Sequence, residues 1–133
     1  MVLIEDNETD VFLVREAIAA HHLDVQLQVM EDGEQAVRFI AGIDADSSAK
    51  CPSLFLLDLN LPKMNGLEVL EHVRHSLRCR NLPVVLISSS DAEKDRSESA
   101  ARGATAYFRK PSGYDAYLEL GEVILGLLDR ERT

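Results

Sequence analysis

The chain has 133 residues, 46% of them hydrophobic and 28% charged, which fits one globular domain large enough to bury a single core. Its formal net charge of −9 argues against nucleic acid or an anionic membrane surface as partner, since both select a basic face. Cys51 and Cys79 have neither paired nor metal-like spacing, so they read as reduced, free thiols of a cytoplasmic protein. No apolar stretch is long enough to span a membrane, and no charged leader precedes an apolar segment.

In chain order, Val2–Glu5 is a predicted strand, followed by a helix from Thr9 to about His21 with Asn7 as its cap. Val11, Val14 and Ile18 recur in that helix at helical spacing. Val25–Met30 is a second predicted strand. A helix from Glu34 to about Ala41 turns Ala36, Val37 and Ile40 inward, and a polar loop, Gly42 to Pro52, is expected to be loosely structured. The unbroken apolar run Leu54-Phe55-Leu56-Leu57 reads as a strand buried on both faces that ends at Asp58. Leu61 to Gly66 form a turn, and Leu67, Leu70, Val73 and Leu77 are the expected buried stripe of a third helix. Val84–Ser88 is strand four. The next helix, about Glu93 to Ala101, has only alanines to bury. Strand five, Thr105–Phe108, precedes Lys110-Pro111, and a last helix runs from about Tyr114 to Leu128.

This β-α alternation predicts an α/β fold, a doubly wound five-stranded parallel sheet with helices on both faces, in a single domain spanning residues 1–133. The last helix departs from the pattern, because its only charged positions are Asp115, Glu119 and Glu122. A helix covering one sheet face needs one apolar stripe. The surplus makes Tyr117, Leu118, Leu120, Ile124, Leu125 and Leu128 interface candidates and predicts a homodimer.

Four strands each deliver a polar residue at the carboxyl end, where open α/β sheets bind ligands: Glu5 and Asp6, Asp58, Ser88 and Lys110. Crowded carboxylates raise one another's pKa and invite a cation. Carboxylate oxygens with an open face suit Mg²⁺, which keeps waters and accepts a phosphate. A metal-bound carboxylate beside a lysine can accept a phosphoryl group, with Ser88 as hydrogen-bond donor to it. His72 and His75 are three apart on a helix, a ligand-like spacing, but no third donor completes a set and they read as a solvated face.

Val2-Leu3-Ile4-Glu5-Asp6-Asn7, Leu56-Leu57-Asp58-Leu59-Asn60-Leu61-Pro62, Leu86-Ile87-Ser88-Ser89-Ser90 and Lys110-Pro111, in this order and spacing, resemble the receiver domain of two-component response regulators, a fold similar to flavodoxin. The Glu-Asp-Asn opening, the Asp-Leu-Asn-Leu-Pro-Lys run and the long loop before strand three most resemble stand-alone regulators paired with bacterial phytochromes and similar histidine kinases. The resemblance implies that Asp58 is the phosphoacceptor, served by a sensor histidine kinase or a histidine phosphotransfer protein. It implies Mg²⁺ held by the side chains of Asp6 and Asp58 and the backbone carbonyl of Asn60, with Glu5 acting through a bound water. Lys110 would pair with the phosphoryl oxygens, Ser88 would be the hydroxyl switch with Tyr107 moving inward behind it, and Lys110-Pro111 would be a cis peptide.

Three departures accompany the resemblance. Glu5 stands where Asp is more common, Ser88 where Thr is more common, and Arg96 and Ser97 where related domains bury something apolar. The last predicts a weakly anchored fourth helix. The expected function is a phosphorylation-controlled switch signalling by protein contact, not a conventional enzyme. The alternative is a docking module on the same fold that works without phosphorylation. A phosphatase forming an aspartyl-phosphate would need a second acid two positions after its nucleophile, where Asn60 stands. No Gly-rich loop with Lys-Ser/Thr follows strand one, which removes a nucleotide hydrolase.

Overall fold

The apolar runs lie side by side as five parallel strands, β1 (Val2–Ile4), β2 (Gln28–Met30), β3 (Phe55–Asp58), β4 (Val84–Ser88) and β5 (Ala106–Arg109), in the order β2-β1-β3-β4-β5. The register sets Leu3 beside Leu56, Leu57 beside Leu86, and Ile87 beside Phe108. The structure, a computed structural model, describes residues 1–132. Because alternate strand residues face opposite sides, the sheet feeds two cores. Ile4, Phe55, Leu57 and Leu86 pack against helices α2 (Gly33–Ala45) and α3 (Gly66–Arg74). Leu3, Leu56, Val85 and Ile87 pack against α1 (Glu8–Ala20), α5 (Tyr114–Tyr117) and α6 (Leu120–Arg132). The doubly wound parallel sheet is as the sequence predicts. Among the described residues no helix is long and apolar enough to cross a membrane.

Several boundaries differ from expectation. β2 begins at Gln28 instead of Val25, because this edge strand pairs only with the short β1; Val25 and Leu27 still pack on the core from the preceding loop. α2 continues past Ala41 to Ala45 and buries Ile43. α3 stops at Arg74. The chain then turns at Ser76, whose hydroxyl bonds Asp44, and Leu77 faces solvent, 72% exposed, instead of completing a buried stripe.

The expected loose loop from Gly42 to Pro52 is helical up to Ala45, and the part from Asp46 onward is firmly held. The Arg78 guanidinium donates to the carbonyls of Ile43 and Asp46, both at 2.7 Å, and to that of Ala49. Cys51 and Cys79 are joined in a disulfide, with Cα atoms 5.7 Å apart, which corrects the expectation of free thiols. The pair is 28 residues apart in sequence, and only the fold brings the α2–β3 and α3–β4 connections together at the amino end of the sheet.

The last predicted helix is two. Leu118 and Glu119 interrupt it with a turn in which the Leu118 carbonyl accepts the Gly121 N–H at 3.0 Å and lies 3.0 Å from the His21 ring. Gly121 is required there, because a Cβ would strike that imidazole. Tyr117, Leu120, Ile124, Leu127 and Leu128 nevertheless recur at the spacing of one helical stripe across the turn, and α1 and the sheet cover that stripe. Tyr117, Leu120, Ile124 and Leu128 are buried in the core and Leu118 packs partly against it. Only Leu125 of the six interface candidates is exposed. α4 (Glu93–Ala101) buries Ser99 alone, in keeping with its polar sequence.

Candidate functional site

Asp58 ends the central strand and is 5% exposed. Both of its oxygens are engaged: Oδ1 accepts the Asn60 N–H at 2.9 Å and Oδ2 accepts from Lys110 Nζ at 2.9 Å. The following turn closes tightly, the Gly66 N–H reaching the Leu59 carbonyl at 2.9 Å. A Cβ on Gly66 would lie 2.5 Å from the Asp58 carbonyl oxygen and 2.8 Å from Leu59 Cα. Glycine at 66 is therefore a condition for holding Asp58 where it is.

Glu5 and Asp6 leave β1 next to it. One carboxylate oxygen from each of Glu5, Asp6 and Asp58 lies within 4.8 Å of the others, with Glu5 and Asp58 buried and Asp6 exposed. Burial first, then the adjoining Asp58 carboxylate, push the Glu5 carboxyl up to about 9 despite the pull of Lys110. A divalent cation among these oxygens would reverse that preference. An all-oxygen set with one open, solvent-facing member fits a small hard cation.

Lys110 approaches from the end of β5. Burial opposes its charge, yet its hydrogen bonds to Asp10 and Asp58 outweigh that and hold it at about 12. Its ammonium lies 2.9 Å from Asp10 Oδ2 and 3.5 Å from Glu5 Oε2 as well. The Lys110–Pro111 peptide is trans, against the expected cis, as are the other peptides among the described residues. The trans isomer is the lower by roughly 0.5–1 kcal/mol. It already lets Lys110 reach Asp58, and the Lys110 N–H donates to the Ser88 carbonyl at 2.7 Å.

Ser88 is fully buried at the end of β4, its hydroxyl accepting the Ser90 N–H at 3.0 Å. Tyr107 is half-buried, and its phenol donates to the Ser90 carbonyl at 2.9 Å. The two residues expected to act together thus meet on one short loop. Arg96 stacks over the Tyr107 ring, 4.7 Å from its centroid, and pairs with Asp91 at 3.1 Å. The departure that predicted a loose α4 provides one of its few anchors. His72 and His75 are exposed, and His75 Nδ1 lies 2.8 Å from the Glu71 carbonyl of its own helix.

Sequence reasoning missed Asp10 and the polar role of Tyr117. Asn7 caps α1 by accepting the Asp10 N–H at 3.1 Å, which makes Asp10 the third residue of the helix. An acid there commonly turns back to the cap's own N–H. Here Glu5 Oε1 takes the Asn7 N–H at 3.3 Å, and Asp10 is free to meet Lys110 and the buried Tyr117 phenol at 3.3 Å. The cap was readable; its consequence for Lys110, a hundred residues away, was not.

This sheet order, with an acid cluster and a lysine converging over its carboxyl edge, defines a class. The chain belongs to the response regulator receiver domain family, whose model matches residues 1–120. Among its relatives is the response regulator Rcp1 of Synechocystis sp., 33% identical over 110 residues that make up 83% of this chain and 75% of Rcp1. The crystal structure of the phosphorylated cyanobacterial phytochrome response regulator RcpA is similar with a TM-score of 0.81 and 31% identity, covering 92% of this chain and 88% of that one. The Mn²⁺-bound form of Rcp1 gives a TM-score of 0.80 at 30% identity with the same coverage. The bacteriophytochrome response regulator RtBRR gives 0.77 at 35%, covering 96% and 75%. The protein is a receiver-domain response regulator of two-component signalling.

Proposed function

We propose that Asp58 accepts a phosphoryl group from a phosphohistidine, on a sensor histidine kinase or a histidine phosphotransfer protein, and that the charge it gains is read by other proteins through contact. The observation that carries this is the Asp58 carboxylate itself, buried, oriented on both oxygens by Asn60 and Lys110, and flanked by the Glu5 and Asp6 carboxylates. In the transfer an Asp58 oxygen forms the new O–P bond as the N–P bond to imidazole breaks, and the imidazole takes up a proton as it leaves. Lys110 neutralises the equatorial charge, and positioning supplies most of the remaining assistance.

Asp6 and Asp58, with the Asn60 carbonyl and Glu5 through a water, would hold Mg²⁺, which supplies charge neutralisation between carboxylates and phosphate. The Mn²⁺-bound Rcp1 supports a divalent ion at such a site. Ser88 donates to the phosphoryl group and draws the Ser88–Ser90 loop inward, with Tyr107 following through its bond to Ser90. In this reading the chain promotes its own phosphorylation without being a conventional enzyme, and it acts in the cytoplasm through its receiver domain. The relatives named for phytochrome signalling make a bacteriophytochrome the first kinase to try. A homodimer has less support than the sequence suggested, since Leu125 is the only exposed member of its expected surface.

The test is intact-mass spectrometry after incubation with Mg²⁺ and acetyl phosphate. The expected result is one phosphoryl group on the wild type and none on Asp58→Asn or with a chelator. No gain on the wild type from either acetyl phosphate or a cognate kinase would refute the proposal.

A further inference from the structure

Lys110 has three N–H donors and three carboxylate neighbours, and one of them, Asp10, lies outside the acid cluster around Asp58. Asp10 is itself fixed twice. Its backbone N–H is tied to the Asn7 side chain, and its Oδ1 lies 3.3 Å from the phenol of Tyr117, which is 1% exposed. Burial, then the charge of Asp10, push that phenol's pKa up, so it keeps its proton and donates it to the Asp10 carboxylate. The Tyr117 ring is in turn packed edge-on against Phe108 of β5, centroids 5.9 Å apart. It belongs to the core formed with residues of β1, α1, β3, β4 and α6.

We propose that Asp10 is a positioning residue for phosphoryl transfer: anchored by Tyr117, it holds the Lys110 ammonium at the Asp58 oxygen. A lysine carries a flexible four-carbon stem and a point charge with rotatable donors. Held by Asp58 and the more distant Glu5 alone, its ammonium could pivot about the Asp58 oxygen; a further acceptor at the same 2.9 Å, on the capped first turn of α1, fixes the direction. The cost of letting such an orienting partner go is on the order of tenfold in rate. The contact also joins the site to α5 through one phenol, a route separate from the Ser90–Tyr107 contact on the other side of the sheet.

The inference rests on the phosphoacceptor reading, and two measurements keep them apart. In the first, the ¹H–¹⁵N signal of the Lys110 ammonium, assigned with Lys110→Arg, is recorded at low temperature for wild type and for Asp10→Asn, a near-isosteric change that keeps an oxygen at residue 10 to accept from the Tyr117 phenol. Slow-exchanging ammonium protons in the wild type that are lost or shifted in Asp10→Asn are expected. In the second, the rate of phosphoryl uptake from acetyl phosphate should fall about tenfold in Asp10→Asn. It should fall several-fold in Tyr117→Phe and be partly restored in Asp10→Glu. Asp10→Ala serves as a second variant should Asn at 10 misfold. An unchanged ammonium signal, or uptake as fast as or faster than wild type, overturns the role of Asp10. A wild type that takes no phosphoryl group, with the ammonium signal still dependent on Asp10, overturns the transfer reading and sustains the positioning of Lys110.

Discussion

The two ends of the sheet are held by opposite means. At the amino end, a disulfide and two arginines fasten the connections: Arg78 to the α2–β3 loop, and Arg74 through Nε and Nη2 to the Gly103 carbonyl at 2.9 and 2.7 Å. Gly103 has φ +99 and lies against the Arg74 side chain, so that turn admits little else. At the carboxyl end, by contrast, acids crowd one lysine and the adjoining α4 buries a single serine. Rigidity at one end lets charge rearrange at the other without unravelling the fold. Bistable loops need such a fixed frame to move against.

The sharpest way to break the contrast is at the staple. A disulfide closing a loop of this length contributes roughly 3–4 kcal/mol by the chain-entropy estimate. Replacing Cys51 and Cys79 by serine should lower the urea midpoint accordingly, while phosphoryl uptake in the cold stays intact. If uptake falls with stability, the two ends are not independent. Gly66→Ala should come next, at about 1–3 kcal/mol, because its methyl meets backbone atoms of Asp58 and Leu59. Unlike the cysteine pair it should also abolish uptake, read by thermal melting beside intact mass.

The acid cluster makes a pH prediction. Glu5 titrates near its ordinary value of 4.5 when unfolded and near about 9 when folded. Between these values the folded chain binds the extra proton, so the Glu5 contribution to stability declines as pH rises through this window. Mg²⁺ favours the ionised carboxylate, so the rise in melting temperature on adding Mg²⁺ over a chelator should grow from about pH 5 to pH 9. A cation effect flat across that range would remove Glu5 from the site. The smallest expected effect is Arg96→Ala, about 0.5–1 kcal/mol from the lost stacking on Tyr107. Amide exchange should accelerate in α4 and leave α3 unchanged.

Strands β1, β3, β4 and β5 and the convergence of Glu5, Asp6, Asp58, Ser88 and Lys110 could be read from the sequence, because buried parallel strands are continuous apolar runs with polar residues at their exits. What escaped reading depends on partners far along the chain. Leu77 follows helical spacing yet lies past a turn set by Ser76 and Asp44. How much of the apolar surface of the last helices is covered depends on α1 and the sheet, which come from far along the chain, as does His21 at the Leu118 turn. The disulfide needs two loops that no local signal relates. Asp10 looks like an ordinary first-turn acid, favoured by the helix dipole, until Lys110 is placed beside it.

The Cys51–Cys79 crosslink encloses all of β3, the exposed turn after it, and α3. Lys63 sits on that turn, exposed, with a left-handed φ of 67. A trypsin cut after Lys63 would therefore open the ring without freeing either fragment. In denaturant the oxidised chain would migrate as a single species one water heavier, and adding reductant would part it into two pieces, with Asp58 carried on the amino-terminal one.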